Sequence, residues 1–286
     1  MRRWAAALAG ALMLALAGCS ELPSGVDGDL TDGWSAPPAA LPFRPVAGCH
    51  ADLAETASLS DPASYSCSRP HRAETFAVTD LGDVPAAARA ARAFQECSTR
   101  AGVFAGADWR TGWLILQPVL PTEAAWAGGA RWVRCDLAET APADGTLVSR
   151  SSSLRDGLKG AGQLRMACAN ATVAGDQVTG LRTVGCATRH TAEFAGLYVS
   201  KRSTSAAITP AEMEKGCNTA IAKFAAIPDD GTVKNRAGWL GFPPDKDSWQ
   251  AGDRAVRCFL WLNGEPMTGS YRNAGTKKLK IHYVYR

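Results

Sequence analysis

Two cysteine pairs with the same spacing constrain what this chain can fold into. Cys49 and Cys67 lie 18 residues apart, and so do Cys168 and Cys186. One stretch then reads Cys67-Ser-Arg-Pro-His71-Arg-Ala-Glu74, the other Cys186-Ala-Thr-Arg-His190-Thr-Ala-Glu193. The agreement continues downstream. Cys97 answers to Cys217, and Gly112-Trp113-Leu114 to Gly238-Trp239-Leu240. Trp126-Ala-Gly-Gly-Ala-Arg131-Trp-Val-Arg134-Cys135 answers to Trp249-Gln-Ala-Gly-Asp-Arg254-Ala-Val-Arg257-Cys258. An ordered series of this kind marks an internal repeat. It predicts two domains of ordinary size, at 46–150 and 160–275. Between them Ser149 to Gly162, rich in Ser and Gly, reads as a linker or a loose excursion.

Each unit carries the same order of elements. Ala73–Thr79 and Ala192–Val199 read as strands, as do Arg131–Asp136 and Arg254–Leu262. Pro85–Gly102, rich in Ala and Arg, reads as a helix carrying Cys97. A second helix carries Cys217 and begins at Thr209-Pro210, where Thr can cap and Pro suits the first helical position. Trp113–Gln117 is an apolar run that Pro118 should stop. The predicted class is α+β: two duplicated, disulfide-stapled domains, each a mostly antiparallel sheet with one helix. In the basic tail at 276–286, Leu279, Ile281, Tyr283 and Tyr285 alternate with Lys278, Lys280, His282 and Val284. That alternation predicts an added edge strand, with a membrane-facing basic tail as the alternative.

The N-terminus bears on compartment. Arg2 and Arg3 precede a run without charge from Trp4 to Gly18, the shape of a signal core and too short to span a membrane comfortably. The run ends Leu16-Ala17-Gly18-Cys19, which resembles the lipobox of bacterial lipoproteins. That resemblance implies a signal peptide at 1–18, cleavage before Cys19, and a diacylglyceryl group on its sulfur. Residues 19–45 hold Pro23, Gly25, Gly28, Gly33, Pro37, Pro38, Pro42 and Pro45, the composition of a tether. The formal charge is +4, with Lys+Arg 31 against Asp+Glu 27. So slight an excess, without a concentrated basic face, gives no support to a nucleic-acid partner.

In an exported chain the eight remaining cysteines predict disulfides. Four cysteines per unit admit three pairings. The favoured set is Cys49–Cys67, Cys97–Cys135, Cys168–Cys186 and Cys217–Cys258. A zinc site is disfavoured, because no CxxC pair exists and the nearest approach is Cys67-x3-His71 or Cys186-x3-His190. His71, Glu74, His190 and Glu193 are the only catalytic residue types at a repeated spacing, and they are the candidate binding residues. One reading makes them an acid–base or metal site. The other makes them structural, through a His–backbone or Glu–Arg hydrogen bond with Arg131, Arg134, Arg254 or Arg257 as partner. Residues three apart on a strand face opposite sides, which favours the second reading. Trp113, Trp126, Trp239 and Trp249 recur and read as core before sugar platform. No phosphate loop, HExxH or GxSxG occurs, and no cofactor is expected.

At Cys67-Ser-Arg-Pro-His71-x2-Glu74, at Trp249-x2-Gly252-Asp253-Arg254-x-Val256-x-Cys258 and at Gly269-Ser270, the sequence resembles the septum formation family of exported or lipid-anchored actinobacterial envelope proteins, present as two tandem copies. The first unit departs at Gly129-Ala130, where the second has Gly252-Asp253, and the second lacks the proline before its histidine. The resemblance implies a role near the envelope or division septum and no defined reaction. The expectation is a non-enzymatic binding or scaffold lipoprotein on the outer face of the membrane, contacting cell-wall polymer or septal and envelope proteins. The alternatives are a cell-wall hydrolase using His71 or His190, and a small-molecule or metal-binding lipoprotein.

Overall fold

Among the described residues nine strands form two antiparallel sheets, and each sheet carries one long helix. The computed structural model describes residues 44–54, 64–160, 162, 164–175, 177–202, 207–263 and 265–282. The signal, Cys19 and most of the tether lie outside the described residues. The first sheet has the order β1-β2-β4-β3, from β1 (Gly48–His50), β2 (Ala73–Asp80), β3 (Leu114–Val119) and β4 (Trp132–Glu139). The second has the order β6-β5-β7-β9-β8, from β5 (Cys168–Ala174), β6 (Gln177–Thr183), β7 (Ala192–Val199), β8 (Gly238–Phe242) and β9 (Ala255–Trp261). The ladder between β2 and β4 slips between Thr75 and Ala77, and that between β7 and β9 slips between Phe194 and Gly196. Each bulge falls at the same distance after its histidine.

The helices are α1 (Ala86–Ala105), the short α2 (Glu123–Ala127), α3 (Pro210–Ala225), α4 (Lys246–Ala251) and α5 (Gly275–Lys278). In α1, Ala93, Phe94, Cys97, Ala101 and Phe104 recur at helical spacing and are buried. They pack on Val133, Cys135 and Leu137, which share one face of β4. In α3, Cys217 packs with Val256 and Cys258, while Ile221 and Phe224 share a core with Leu260. Thr209 caps α3 by accepting from the Glu212 amide, and Pro210 occupies the first turn.

Four disulfides fasten these layers. Cys97–Cys135 ties α1 to β4, and Cys217–Cys258 ties α3 to β9. Cys49–Cys67 and Cys168–Cys186 tie β1 and β5 to the turns before β2 and β7. Closing loops of this length contributes roughly 3–4 kcal/mol each in the chain-entropy view.

Three sequence readings need correction. Pro118 does not stop β3; the strand continues to Val119. It lies at the sheet edge, where a residue without an N–H breaks no ladder on its open side. The segment 149–162 is no loose linker. Leu154 and Leu158 are buried in the core under α1, and His71 and Arg150 exchange backbone hydrogen bonds of 2.9 Å. The tail forms no strand over its described residues. Residues 275–278 make a helical turn, and Leu279 inserts beside Ile221 and Phe224 instead of lying along an edge. Tyr283 and Tyr285 lie outside the described residues.

One close approach gives a test. A Cβ built on Gly216 would stand 2.2 Å from Cγ of Tyr198, at the fixed base of its ring. Gly216→Ala must push α3 off β7, and we expect a loss of about 1–3 kcal/mol in denaturant unfolding. An unchanged midpoint would contradict the packing described.

Candidate functional site

The repeated histidines and glutamates occupy matching surroundings. His71 is 2% exposed and His190 is fully buried. His71 Nδ1 lies 2.7 Å from the carbonyl of Arg69, and His190 Nδ1 lies 2.8 Å from that of Thr188. A carbonyl can only accept, so each Nδ1 carries the proton and donates. Each ring locks the turn that follows its disulfide. The backbones of the two histidines bridge to Arg150 and Met267 respectively. His71 Nε2 and His190 Nε2 are buried without a hydrogen-bond partner among the described residues.

Glu74 and Glu193 look the other way along their strands and grip a later segment. Glu74 accepts from Ser153 Oγ at 2.6 Å and from the Leu154 amide at 2.7 Å. Glu193 accepts from Ser270 Oγ and, at 2.7 Å, from the Tyr271 amide. Each serine also accepts from an amide two residues on, that of Arg155 or Arg272, at 3.0 Å. Those arginines lie over aromatic rings at the ends of the long helices. Arg155 covers Phe104 at 4.7 Å and Arg272 covers Phe224 at 4.8 Å. Asp156 and Asn273 then turn through positive φ, 58° and 57°, and their amides close on the Phe104 and Phe224 carbonyls. The unit is a clasp: strand glutamate, serine, arginine and a left-handed Asp or Asn tie the returning chain to strand and helix.

Among the described residues Glu74 and Glu193 bond these serines and amides, and Arg131 and Arg254 turn elsewhere. Arg131 bonds Asp83 and the Trp126 carbonyl, and Arg254 bonds the Trp249 carbonyl. Both also lie over those tryptophan rings, at 4.8 and 4.4 Å. Trp126 and Trp249 are therefore buried packing residues and not platforms. The clasp serines leave a faint repeat, Ser153-Leu154-Arg155-Asp156 against Ser270-Tyr271-Arg272-Asn273, at a shift of 117 residues where the histidines and glutamates shift by 119. The signal was four residues long with only Ser and Arg identical.

Ligand atoms of Cys49, Cys67, His71 and Glu74 all lie within 4.8 Å of one another, as do those of Cys168, Cys186 and Glu193. In each group the two sulfurs are bonded to each other, so they offer no thiolate to a metal.

A second set of charges lies where the two sheets meet. Arg110 pairs with Asp108 at 2.8 Å and reaches Asp253 at 3.7 Å. Burial raises the carboxyl of Asp253 above the usual aspartate range. Burial opposes ionisation of Asp108 as well, but Arg110 beside it wins and holds that carboxyl low. Arg257 donates to the carbonyls of Arg110 and Leu114, at 3.2 and 3.1 Å, so the second sheet binds backbone that leads into β3.

A family model described as septum formation matches residues 47–258, most of the chain. The chain belongs to the septum formation family. No curated protein and no solved structure matches it. Membership of the septum formation family points to a role in cell division or the envelope, and four disulfides fit an extracytoplasmic location. Among the described residues no helix is long and apolar enough to cross a membrane. The matched span ends before Ser270, so it holds Glu193 but not the return segment of the second clasp.

The histidines supply a test. Replacing His71 or His190 by Ala leaves a buried carbonyl without its donor and a void where the ring stood. We expect each variant to lose about 2–4 kcal/mol on unfolding. Stability unchanged by either substitution would contradict a structural role.

Proposed function

We propose that this member of the septum formation family is a non-enzymatic binding or scaffold module, held by a lipid on Cys19 at the outer face of the membrane. The carrying observation is how the four catalytic-type residues are used. His71 and His190 spend Nδ1 on their own turns, and Glu74 and Glu193 accept two hydrogen bonds each inside the clasp. Buried groups committed in this way hold the chain together and are poorly placed to exchange protons with a substrate. The lipid anchor rests on Leu16-Ala17-Gly18-Cys19, and the tether on the Pro and Gly that follow.

The repeated spacing, the two similar strand orders and the matched clasps support a tandem duplication, with units near 46–150 and 160–275. Two related units on one tether suit bivalent attachment, which gains avidity through effective concentration. Cell-wall polymer and septal or envelope proteins are the proposed partners.

Mixing the purified protein with cell-wall sacculi tests the reading. The expected result is protein in the pellet and no fragments in the supernatant. Release of fragments that His71 and His190 substitutions abolish would replace the scaffold by a hydrolase.

A further inference from the structure

The two sheets place the same arginine in opposite company. On β4, Arg134 sits two residues before Asp136, and its Nη2 lies 2.7 Å from that carboxylate. Thr75 Oγ1 donates to the other carboxylate oxygen at 2.6 Å. On β9 the corresponding residues are Arg257 and Phe259. The carboxylate has become an aromatic ring, and Arg257 keeps its charge on a face built from Phe194, Phe242, Phe259 and Trp113. Its Nε and Nη2 donate to backbone carbonyls, while Nη1 makes no hydrogen bond and no carboxylate lies within ion-pair reach among the described residues. Burial pulls its guanidinium below the usual arginine range and Arg110 adds to that, while Asp253, Asp108 and Asp245 oppose it from beyond contact distance.

A cavity of about 320 Å³ opens on this face. That is the lower end of the volumes that hold small molecules. Trp113, Met166, Val178, Phe242 and Phe259 give it apolar walls, and Arg257 is its one cation. Trp113 Nε1 is buried and donates to nothing among the described residues. The indole nitrogen therefore lies behind the cavity wall, and Arg257 Nη1 is the donor left to the cavity against a background of rings. Asp144 stands exposed at the rim, on the hairpin turn after β4, where water screens it.

We propose that this cavity binds a small apolar carboxylate, its anionic end taken by Arg257 Nη1 and its apolar body lying against Phe242 and Phe259. A carboxylate supplies the acceptor that Nη1 lacks, and a hydrogen bond between charged partners is stronger in such a site than in water. One arginine inside and one aspartate at the rim favour a single negative charge. The site is separate from the clasps and from any polymer contact, so its failure would leave the scaffold reading standing.

Calorimetric titration of the full-length protein with 2-naphthoate and 2-naphthamide tests it. These probes share a ring system and differ in charge. Naphthoate should bind one per chain, at least ten-fold tighter than the amide. Arg257→Met should lower naphthoate affinity to that of the amide, while Val178→Trp, which fills the cavity from a half-exposed strand position, should abolish both. The second variant leaves Arg257 and its backbone contacts in place, so it reports even if loss of the arginine disturbs folding. Equal affinity for acid and amide, binding of neither, or naphthoate binding that survives Val178→Trp would overturn the site.

Discussion

A buried glutamate that captures a backbone amide from a distant segment is the interaction on which each sheet depends. Glu74 and Glu193 are 6% and 4% exposed, and a carboxylate so placed must find donors inside the protein. The donors come from residues far along the chain, Ser153 with Leu154 and Ser270 with Tyr271. The carboxylate therefore decides where the returning chain lies. Leu154 and Leu158 then enter the core under α1, and Leu279 enters the core under α3. The arginine after each serine caps a phenylalanine at the helix end, joining strand, helix and return segment at one point.

The disulfides work on a different scale. They shorten the loops of the unfolded chain and hold helix to strand, but they leave the return segments free. Clasp and disulfide together explain how each sheet and its helix remain closed. Divergence appears between the corresponding arginines of the two sheets. Arg134 keeps Asp136 and becomes part of a buried hydrogen-bonded network, whereas Arg257 faces Phe259 and turns to backbone carbonyls leading into β3. One exchange of carboxylate for ring converts an internal ion pair into a bridge between sheets beside a cavity.

Much of the fold was legible in the sequence. The strands around Glu74, Glu193, Cys135 and Cys258 follow from alternation, and the start of α3 follows from Thr209-Pro210. The cysteine spacing marked the framework because cysteine is rare and its partners must meet. The clasp was less legible for a physical reason. Backbone amides and carbonyls do much of its binding, and they leave no mark on residue type. Ser153 sits in a stretch whose Ser and Gly content imitates a linker, while the leucines that bury it are too sparse to show a period. The tail misled because Leu279 and Ile281 alternate like a strand, yet only Leu279 is fully buried. For the same reason His71 and Glu74 read as a pair although they serve different segments. The cavity beside Arg257 could not be read at all, since its walls come from strands far apart in sequence.

A double-mutant cycle on the first clasp bears most directly on this account. Glu74→Gln, Ser153→Ala and the combined variant would be unfolded in denaturant beside the parent chain. A charged hydrogen bond buried between them predicts a coupling of about 1–3 kcal/mol, the double variant losing less than the sum of the singles. Losses that add to within about 0.5 kcal/mol would mean that the glutamate does not hold the return segment, and the clasp would not be what closes the sheet.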